Sequence, residues 1–427
     1  MNIIVISNAA WDDKNSSGNT YSNLFSDWKE ATFHSMYSRE QLPANNCCSS
    51  YYCVSPFNLL KNIITPWKIG VEFNNKNIPY QKTSAHSENL VKAEVDGCFK
   101  RIILLLIDFF YLSGIWLNKK TKNYIARCNP DIVVMTGVSE AYRFVLSKYI
   151  KKNTKAKLVT YIVDDTYNTE KNSGTFLGYL RSKRYEKIFR MSDKVYGISK
   201  EMCKAYEKEF GCKVSLLTKG CRLNTPKNYV NDPLQFVYAG NLLYGRDEVL
   251  SVIAKCLAVI NNSSPKAELS IYTNTMITPQ LSTKLNIDGA STLYSARPYD
   301  EIMEIMRKAD VVLHVESFEP EQINLVRYSF STKITDCLQS GSVLMAIGPN
   351  GISSIEYPKT IPGAIVVENV SELSEVIVSL AKKPESLIER AKKSNEFALK
   401  NLDVSVVRNN LKNDFKHIIN EKKDSHC

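Results

Sequence analysis

The stretch YSFSTKITDCLQSG, Tyr328 to Gly341, gathers hydroxyls, a lysine and an aspartate between two strongly apolar segments. Ile334, Cys337 and Leu338 recur at i, i+3 and i+4 as the buried stripe of a helix, so Lys333 and Asp336 share its other face. Ser329, Ser331 and Thr332 stand where side chains cap free backbone N–H groups, and Gly341 fits the helix stop. A helix start carrying hydroxyls and a lysine is a place for an anion. A phosphate ester would use all of them together, and Asp336, one turn on, is spaced to accept hydrogen bonds from ribose hydroxyls. A nucleoside diphosphate would engage both, whereas a capped helix with a solvated Lys–Asp pair is the plainer meaning of the same string.

Other carboxylates end apolar runs. YIVDDTY closes with Asp164 and Asp165, either of which could serve as a general base or orient an acceptor hydroxyl. Glu316 and Glu319 follow DVVLHV, inside which His314 reads as a packed core histidine. After the first run, Gly18 with Asn19 and Thr20 marks a turn into a helix whose start can present N–H donors.

Parallel strands must position these groups. NIIVIS (2–7), DIVVMTG (131–137), KLVTYIVD (157–164) and KVYGIS (194–199) form one series; QFVYAG (235–240), ELSIYT (268–273), DVVLHV (310–315) and VLMAIG (343–348) form a second. Bounded β-branched runs separated by helices predict parallel sheets covered on both faces. The 427 residues suit two domains of about 200 residues each. The polar stretch 218–235 is the expected linker, and the cleft between two such domains the expected ligand site. The expected architecture is α/β, with two Rossmann-like doubly wound domains: 1–220 for the acceptor, 221–400 for the donor, and a C-terminal amphipathic helix in 401–427. That helix carries Val407, Leu411, Phe415 and Ile418 on one face and needs an apolar surface, which the N-terminal domain can supply.

The formal charge of +11 is uneven: residues 1–225 carry 33 Lys+Arg against 20 Asp+Glu, and residues 226–427 carry 22 against 24. A basic half fits a phosphate-bearing substrate or an anionic membrane surface; nucleic acid is not expected, because no RNA-binding signature or zinc finger is present. Cys47, Cys48 and Cys53 lack a second Cys/His group at zinc spacing and read as structural thiols, and a chain opening directly on a strand points to the cytoplasm. The run from Ile102 to Leu117 is interrupted by Asp108 and falls short of the roughly 20 residues that span a bilayer. A buried helix of the first domain is expected there, with a surface-embedded helix as the alternative.

Several stretches taken in order resemble GT-B-fold glycosyltransferases of the family 4 type. SDKVYGISKEMCKAYEKEFGCKV (192–214) resembles the strand and helix closing the N-terminal domain, and FVYAGNLLYGRDEVL (236–250) the opening of the C-terminal one. YSARPYDEIMEIMRKADVVLHVESF (294–318) is similar to the segment bordering base and sugar, and STKITDCLQSGSVLMAIG to the Pro-Ser-Lys-x-x-Glu-Tyr-x-x-x-Gly segment. The resemblance implies that Gly240, Asn241 and Arg246 contact the donor pyrophosphate, Tyr272 and Arg297 the donor, and Ser331, Thr332 and Lys333 its phosphates. It puts Asp336 on ribose and Gly18 near the acceptor and donor phosphates. Asp164, Asp165 and Glu316 become the catalytic candidates, Glu316 against the transferred sugar. The sequence departs from the family's glutamate pair, with Tyr328 eight residues before an aspartate, Asp336.

The activity implied is metal-independent, retaining hexosyl transfer from a nucleotide sugar, with a UDP-sugar expected and no other cofactor. The acceptor implied is a saccharide hydroxyl, lipid-diphosphate-linked, in capsule, O-antigen or lipopolysaccharide assembly, at the inner face of the plasma membrane. The alternatives are a nucleotide-sugar epimerase and a non-catalytic nucleotide-sugar-binding protein.

Overall fold

A computed structural model describes residues 1–11, 16–43, 47–62, 64–74, 97–136, 140–264, 266–328 and 330–421. The chain divides into a first unit, Met1–Leu217 with Arg408–Cys427, and a second, Thr218–Val407. Each of the eight apolar runs is a strand, and each strand keeps within a residue or two of its run.

The first unit holds β1 (Asn2–Ser7), β2 (Thr32–Tyr37), β3 (Ser50–Cys53), β4 (Val71–Asn74), β5 (Ile132–Thr136), β6 (Lys157–Ile162), β7 (Lys194–Gly197) and β8 (Val214–Leu216). They form one sheet in the order β4-β3-β2-β1-β5-β6-β7-β8, parallel throughout except for β3 with β4. β1 and β5 are buried along almost their whole length, which is why their sequences are unbroken apolar runs rather than alternations. The final helix, Val404–Asn420, presents Val407, Leu411, Phe415 and Ile418 on its buried face. Phe415 packs its ring 5.5 Å from Trp28 and 6.1 Å from Phe25 of the first unit, while Arg408 donates to Asn23 O (2.7 Å) and Asp414 accepts from Tyr196.

The second unit holds β9 (Leu234–Ala239), β10 (Ala267–Thr273), β11 (Ser291–Ser295), β12 (Val311–Val315), β13 (Val343–Ile347) and β14 (Ile365–Val367), all parallel, in the order β11-β10-β9-β12-β13-β14. Phe236, Leu269, Ile271, Val311, Leu313, Val343, Met345 and Ile347 form its core with Leu250, Ile253 and Leu257 of the following helix. The order turns around between β9 and β12, and in open sheets of this kind a ligand crevice forms at the carboxyl ends of the strands beside that reversal. At the opposite edge Asp310 accepts from Lys227 Nζ (2.7 Å), Asn231 N (3.1 Å) and Gln235 N (2.8 Å), which fastens the polar stretch 218–235 to this unit.

The apolar run after residue 100 forms the helix Gly97–Leu112. Against the expectation of a buried helix, Ile103, Leu105, Leu106, Phe109, Leu112 and Ile115 are exposed. Among its described side chains Asp108 and Tyr111 turn inward: Asp108 pairs with Arg184 (2.7 Å) and Tyr111 donates to Val54 O. No helix among the described residues is long and apolar enough to cross a membrane. Cys48 and Cys53 are buried thiols, and burial pushes Cys53 up to about 12.

Candidate functional site

At the reversal in the second unit, β9 ends and Gly240 N donates to Tyr272 O (2.9 Å), so the chain leaves the sheet beside β10. Tyr244 (φ 64°) and Gly245 (φ 74°) then take left-handed backbone and turn the chain so that Arg246 opens the helix Arg246–Ile260. For a tyrosine this conformation costs about 1–3 kcal/mol, a strain that clusters at functional sites. Gly245 is required twice over, by its φ and because a Cβ there would lie 2.7 Å from Ser317 Oγ.

Arg246 is half-buried and fixed. Its Nη2 donates to Glu316 Oε2 (2.8 Å), its Nε to Val315 O (3.1 Å) and to the same carboxylate oxygen (3.2 Å), and its Nη1 to Asn241 Oδ1 (2.6 Å). One N–H on each terminal nitrogen remains for a ligand. Glu316, the residue expected against a transferred sugar, forms an ion pair with Arg246. Its Oε1 lies 3.3 Å from His314 Nε2, at ion-pair distance but out of line for a hydrogen bond, and accepts from Ser354 Oγ (3.4 Å). Burial works to raise the Glu316 pKa, but His314 and Arg246 outweigh it and hold the carboxyl at about 2. Glu316 is therefore a charged anchor that aims Arg246. Glu319 beyond it is exposed.

Lys333 opens the helix Lys333–Ser340, which returns toward β13 and ends at Gly341 (φ 82°). Its half-buried ammonium lies 5.6 Å from the Tyr238 ring centroid and against the Cα of Gly240, where any Cβ would collide with Nζ and with Tyr238 OH. Among the described residues Nζ has no hydrogen-bond acceptor or carboxylate partner. Burial first, and then the nearby Arg246 charge, lower its pKa. Thr332 does not cap this helix as expected: its φ of −60° and ψ of −18° are already helical, so its hydroxyl cannot fold back as an extended N-cap does, and Ser331 O accepts from Ile334 N instead. The Ser331 and Thr332 hydroxyls are left without partners among the described residues, and Ser329 lies outside them. Asp336 accepts from Tyr299 OH (3.1 Å), and burial raises its pKa against the opposing charge of Lys219.

Tyr272 and Tyr294 occupy partner positions on β10 and β11 and stack 4.8 Å apart at 14°. Arg297 follows on the exposed loop, and its charge acts on Tyr272 against the burial that raises that phenol. The structure thus brings Gly240, Asn241, Arg246, Tyr272, Arg297, Ser331, Thr332, Lys333 and Asp336 to one edge of one sheet.

Gly18, Asp164 and Asp165 belong to the first unit. Gly18, expected at the turn into a helix, is already a buried residue of the helix Ser16–Phe25, and residues 12–15 lie outside the described ones. Asp165 is the N-cap of the helix Thr166–Lys171, accepting from Asn168 N (3.3 Å) and from Tyr206 OH (2.7 Å), so its carboxylate is held by the fold. Asp164, beside it, has a carboxylate without a partner among the described residues. More than a third of its surface is open to solvent, yet desolvation by the surrounding chain raises its pKa, as suits a proton acceptor. Nearby in the same sheet, Asn8 donates to Glu140 Oε1 (2.8 Å), Glu140 pairs with buried Arg143 (3.2 Å), and Arg143 holds Thr136 O at the end of β5.

No family model matches the chain, and no curated protein matches it. Solved structures do. The chain is similar to the E. coli trehalose-6-phosphate structure bound with UDP-2-fluoro glucose at 10% identity and TM-score 0.60, over 97% of this chain and 98% of that one. It is similar to sucrose-phosphate synthase from Thermosynechococcus elongatus at 11% identity and TM-score 0.59, over 97% and 98%. Anabaena HepE in complex with UDP and glucose matches at 11% identity and TM-score 0.57, over 98% and 100%. The fold is GT-B.

In this GT-B chain the residues that local sequence did not mark are those joined across the sheet. Tyr238, which supports Lys333 and donates to Asn241 O (2.6 Å), is two residues before Gly240 and so shares its face of β9, a signal that strand alternation carries. Tyr294 can be found only from the β10–β11 register, and the Arg246–Glu316 pair joins positions 70 residues apart.

Proposed function

We propose that the protein is a glycosyltransferase that moves a hexose-type sugar from a nucleoside diphosphate sugar, a UDP-sugar first among them, to a hydroxyl of a saccharide acceptor. The observation that carries the reading is Lys333: a half-buried ammonium with no carboxylate or hydrogen-bond acceptor among the described residues, against Gly240 and beside Arg246, at the strand-order reversal of a GT-B domain. In the reaction the bond from the sugar C1 to the phosphate oxygen breaks with its electron pair leaving on the diphosphate, and the acceptor oxygen bonds to C1 through an oxocarbenium-like transition state. Lys333, the two remaining N–H groups of Arg246 and the start of the helix Lys333–Ser340 meet the charge that develops, without a divalent metal in the role. Asp336 takes ribose, and the Tyr272–Tyr294 stack with Arg297 borders the base.

The transfer is proposed as retaining, the acceptor proton passing to the departing phosphate oxygen. An inverting course would use Asp164 as the base. The acceptor is proposed as a saccharide on a lipid diphosphate, in capsule, O-antigen or lipopolysaccharide assembly. That assignment is supported by the 33 Lys+Arg against 20 Asp+Glu of residues 1–225, and it implies peripheral contact with the inner face of the plasma membrane. A non-catalytic nucleotide-sugar-binding protein is the second reading, favoured by the withdrawal of Glu316 into its pair with Arg246.

UDP-, GDP-, CMP- and dTDP-sugars tested by thermal shift, followed by assay of nucleotide release (UDP, GDP, dTDP or CMP) with lipid-linked saccharide acceptors, separate these readings. Stabilisation by one donor class together with acceptor-dependent release is expected. Stabilisation without release under any acceptor would select the second reading, and no stabilisation in folded protein would remove the donor site.

A further inference from the structure

The exposed apolar face of the helix Gly97–Leu112 continues onto its neighbours in the first unit. Leu105, Leu106, Phe109 and Leu112 line a groove of about 400 Å³ with Leu177 and Leu180 of the helix Phe176–Met191, and Asp108 and Arg184 form its floor. On that second helix Phe176, Tyr179, Lys183 and Lys187 fall at i, i+3, i+7 and i+11, a single face of aromatic residues followed by lysines. On the other side Tyr111 holds Val54 O and Asn118 holds Pro66 O (2.7 Å) and Ile69 O (2.9 Å), fixing the segment of residues 55–62 and 64–69 beside the helix. That segment exposes Phe57, Leu60, Ile64 and Trp67. The most open of these side chains are Ile64 at 87%, Phe176 at 73%, and Phe109 and Trp67 at 65% each. Nothing among the described residues covers them, and apolar surface of this extent marks an interaction site.

The rim decides the partner. Lys61, Lys68, Lys119 and Lys187 are exposed and meet no carboxylate among the described residues, while Lys183 keeps Glu186 (2.8 Å). Leucine, phenylalanine and tryptophan surrounded by unpaired lysines form the pattern of a surface that sinks into the boundary between lipid headgroups and acyl chains. A second copy of the chain would bring the same lysines against themselves. We infer that the face built from residues 55–62 and 64–69, the helix Gly97–Leu112 and the start of the helix Phe176–Met191 docks on an anionic lipid bilayer. The inference deepens the peripheral contact in the proposed function and rests on that part of it, but not on the transfer chemistry.

Trp67 supplies the readout, because the other three tryptophans, Trp11, Trp28 and Trp116, are buried. Full-length protein is mixed with phosphatidylcholine vesicles with and without phosphatidylglycerol. With the anionic vesicles Trp67 emission should shift to the blue and be quenched by brominated acyl chains, both effects vanishing in Trp67→Phe. Phe109→Asp and Phe176→Asp should each weaken co-sedimentation about tenfold or more, and each of Lys61→Ala and Lys119→Ala about fivefold, with thermal unfolding unchanged. Absence of binding, or equal binding to neutral and anionic vesicles, overturns the inference. So does a dimer in sedimentation velocity that Phe109→Asp dissociates, since the face would then belong to a second copy. Donor stabilisation measured on the same samples keeps the readings apart: vesicle binding lost with donor binding intact removes the docking face alone, and the reverse removes only the donor site.

Discussion

Replacing Lys333 with methionine tests the donor site most directly, because it removes the charge and keeps most of the stem. A hydrogen bond from a charged group is worth about 1.5–3 kcal/mol, so donor affinity should fall about 10- to 150-fold. With donor at about 100 times the wild-type Kd, binding stabilises by about 2.7 kcal/mol, and in the variant by about 0.3–1.4 kcal/mol. For a unit of this size that corresponds to a Tm shift of about 5–10 °C falling to about 1–5 °C. The free protein should behave in the opposite sense. Burial and Arg246 lower the folded pKa of Lys333 below its ordinary value, so the folded state binds that proton more weakly than the unfolded chain does. The lysine therefore costs the free protein stability at pH values below its folded pKa, and the cost fades as pH rises through the folded and then the unfolded value. At neutral pH Lys333→Met should be at least as stable as wild type without donor. Gly240→Ala should also weaken donor binding, since a new Cβ displaces the ammonium, but with a loss of stability because it presses on the buried Tyr238 hydroxyl as well. Calorimetric unfolding and isothermal titration with the stabilising donor measure both quantities. A Lys333→Met variant that unfolds several degrees earlier without donor, or that keeps the full donor shift, would refute the argument that this lysine is held ready for an anion.

Glu316→Gln removes one partner of a buried pair and should destabilise the second unit by about 3 kcal/mol or more, read by urea titration. Because the folded pKa of about 2 lies below the ordinary 4.5, the stability due to this carboxylate is present above that value and lost as pH falls from 4.5 through 2. The loss is on the order of 3 kcal/mol, and the variant's acid limb should be flatter by that amount. In the first unit Asp165→Ala should cost up to about 2 kcal/mol through the lost contacts to Asn168 and Tyr206. Asp164→Asn should leave stability within about 0.5 kcal/mol and, if the transfer is inverting, lower its rate about 10²–10⁴-fold. Equal destabilisation by the two substitutions would remove the distinction drawn between these neighbours.

The parts of the fold that could be read from sequence are those where burial on both faces makes a strand a continuous apolar run. NIIVIS coincides with β1, and VLMAIG contains β13 less its final glycine. β4 was not legible, because VEFN lies at the sheet edge with three of its four residues exposed, and an antiparallel edge strand has little to bury. β3 and β8 are too short for periodicity to register. The helix Gly97–Leu112 shows a limit of another kind. Hydropathy records what a side chain is and not what covers it, so a run that fits a core helix and one that fits a membrane surface read alike until its neighbours are in place.

The proposed donor site divides along the same line. Gly240 and Arg246 belong to one loop and Lys333 and Asp336 to one helical turn, so spacing alone could group them. Glu316 could not be assigned from spacing, because its partner arrives from the far end of β9's loop and its two oxygens are taken by Arg246 on one side and by His314 and Ser354 on the other. That pairing changes the charge of the site. With Arg246 cancelled by Glu316, the guanidinium contributes direction through its remaining N–H groups, and Lys333 contributes the uncompensated positive charge. An anionic ligand would therefore feel Lys333 in its affinity and Arg246 in its orientation, which is why the lysine substitution should appear first in Kd and a substitution of Glu316 first in the stability of the fold.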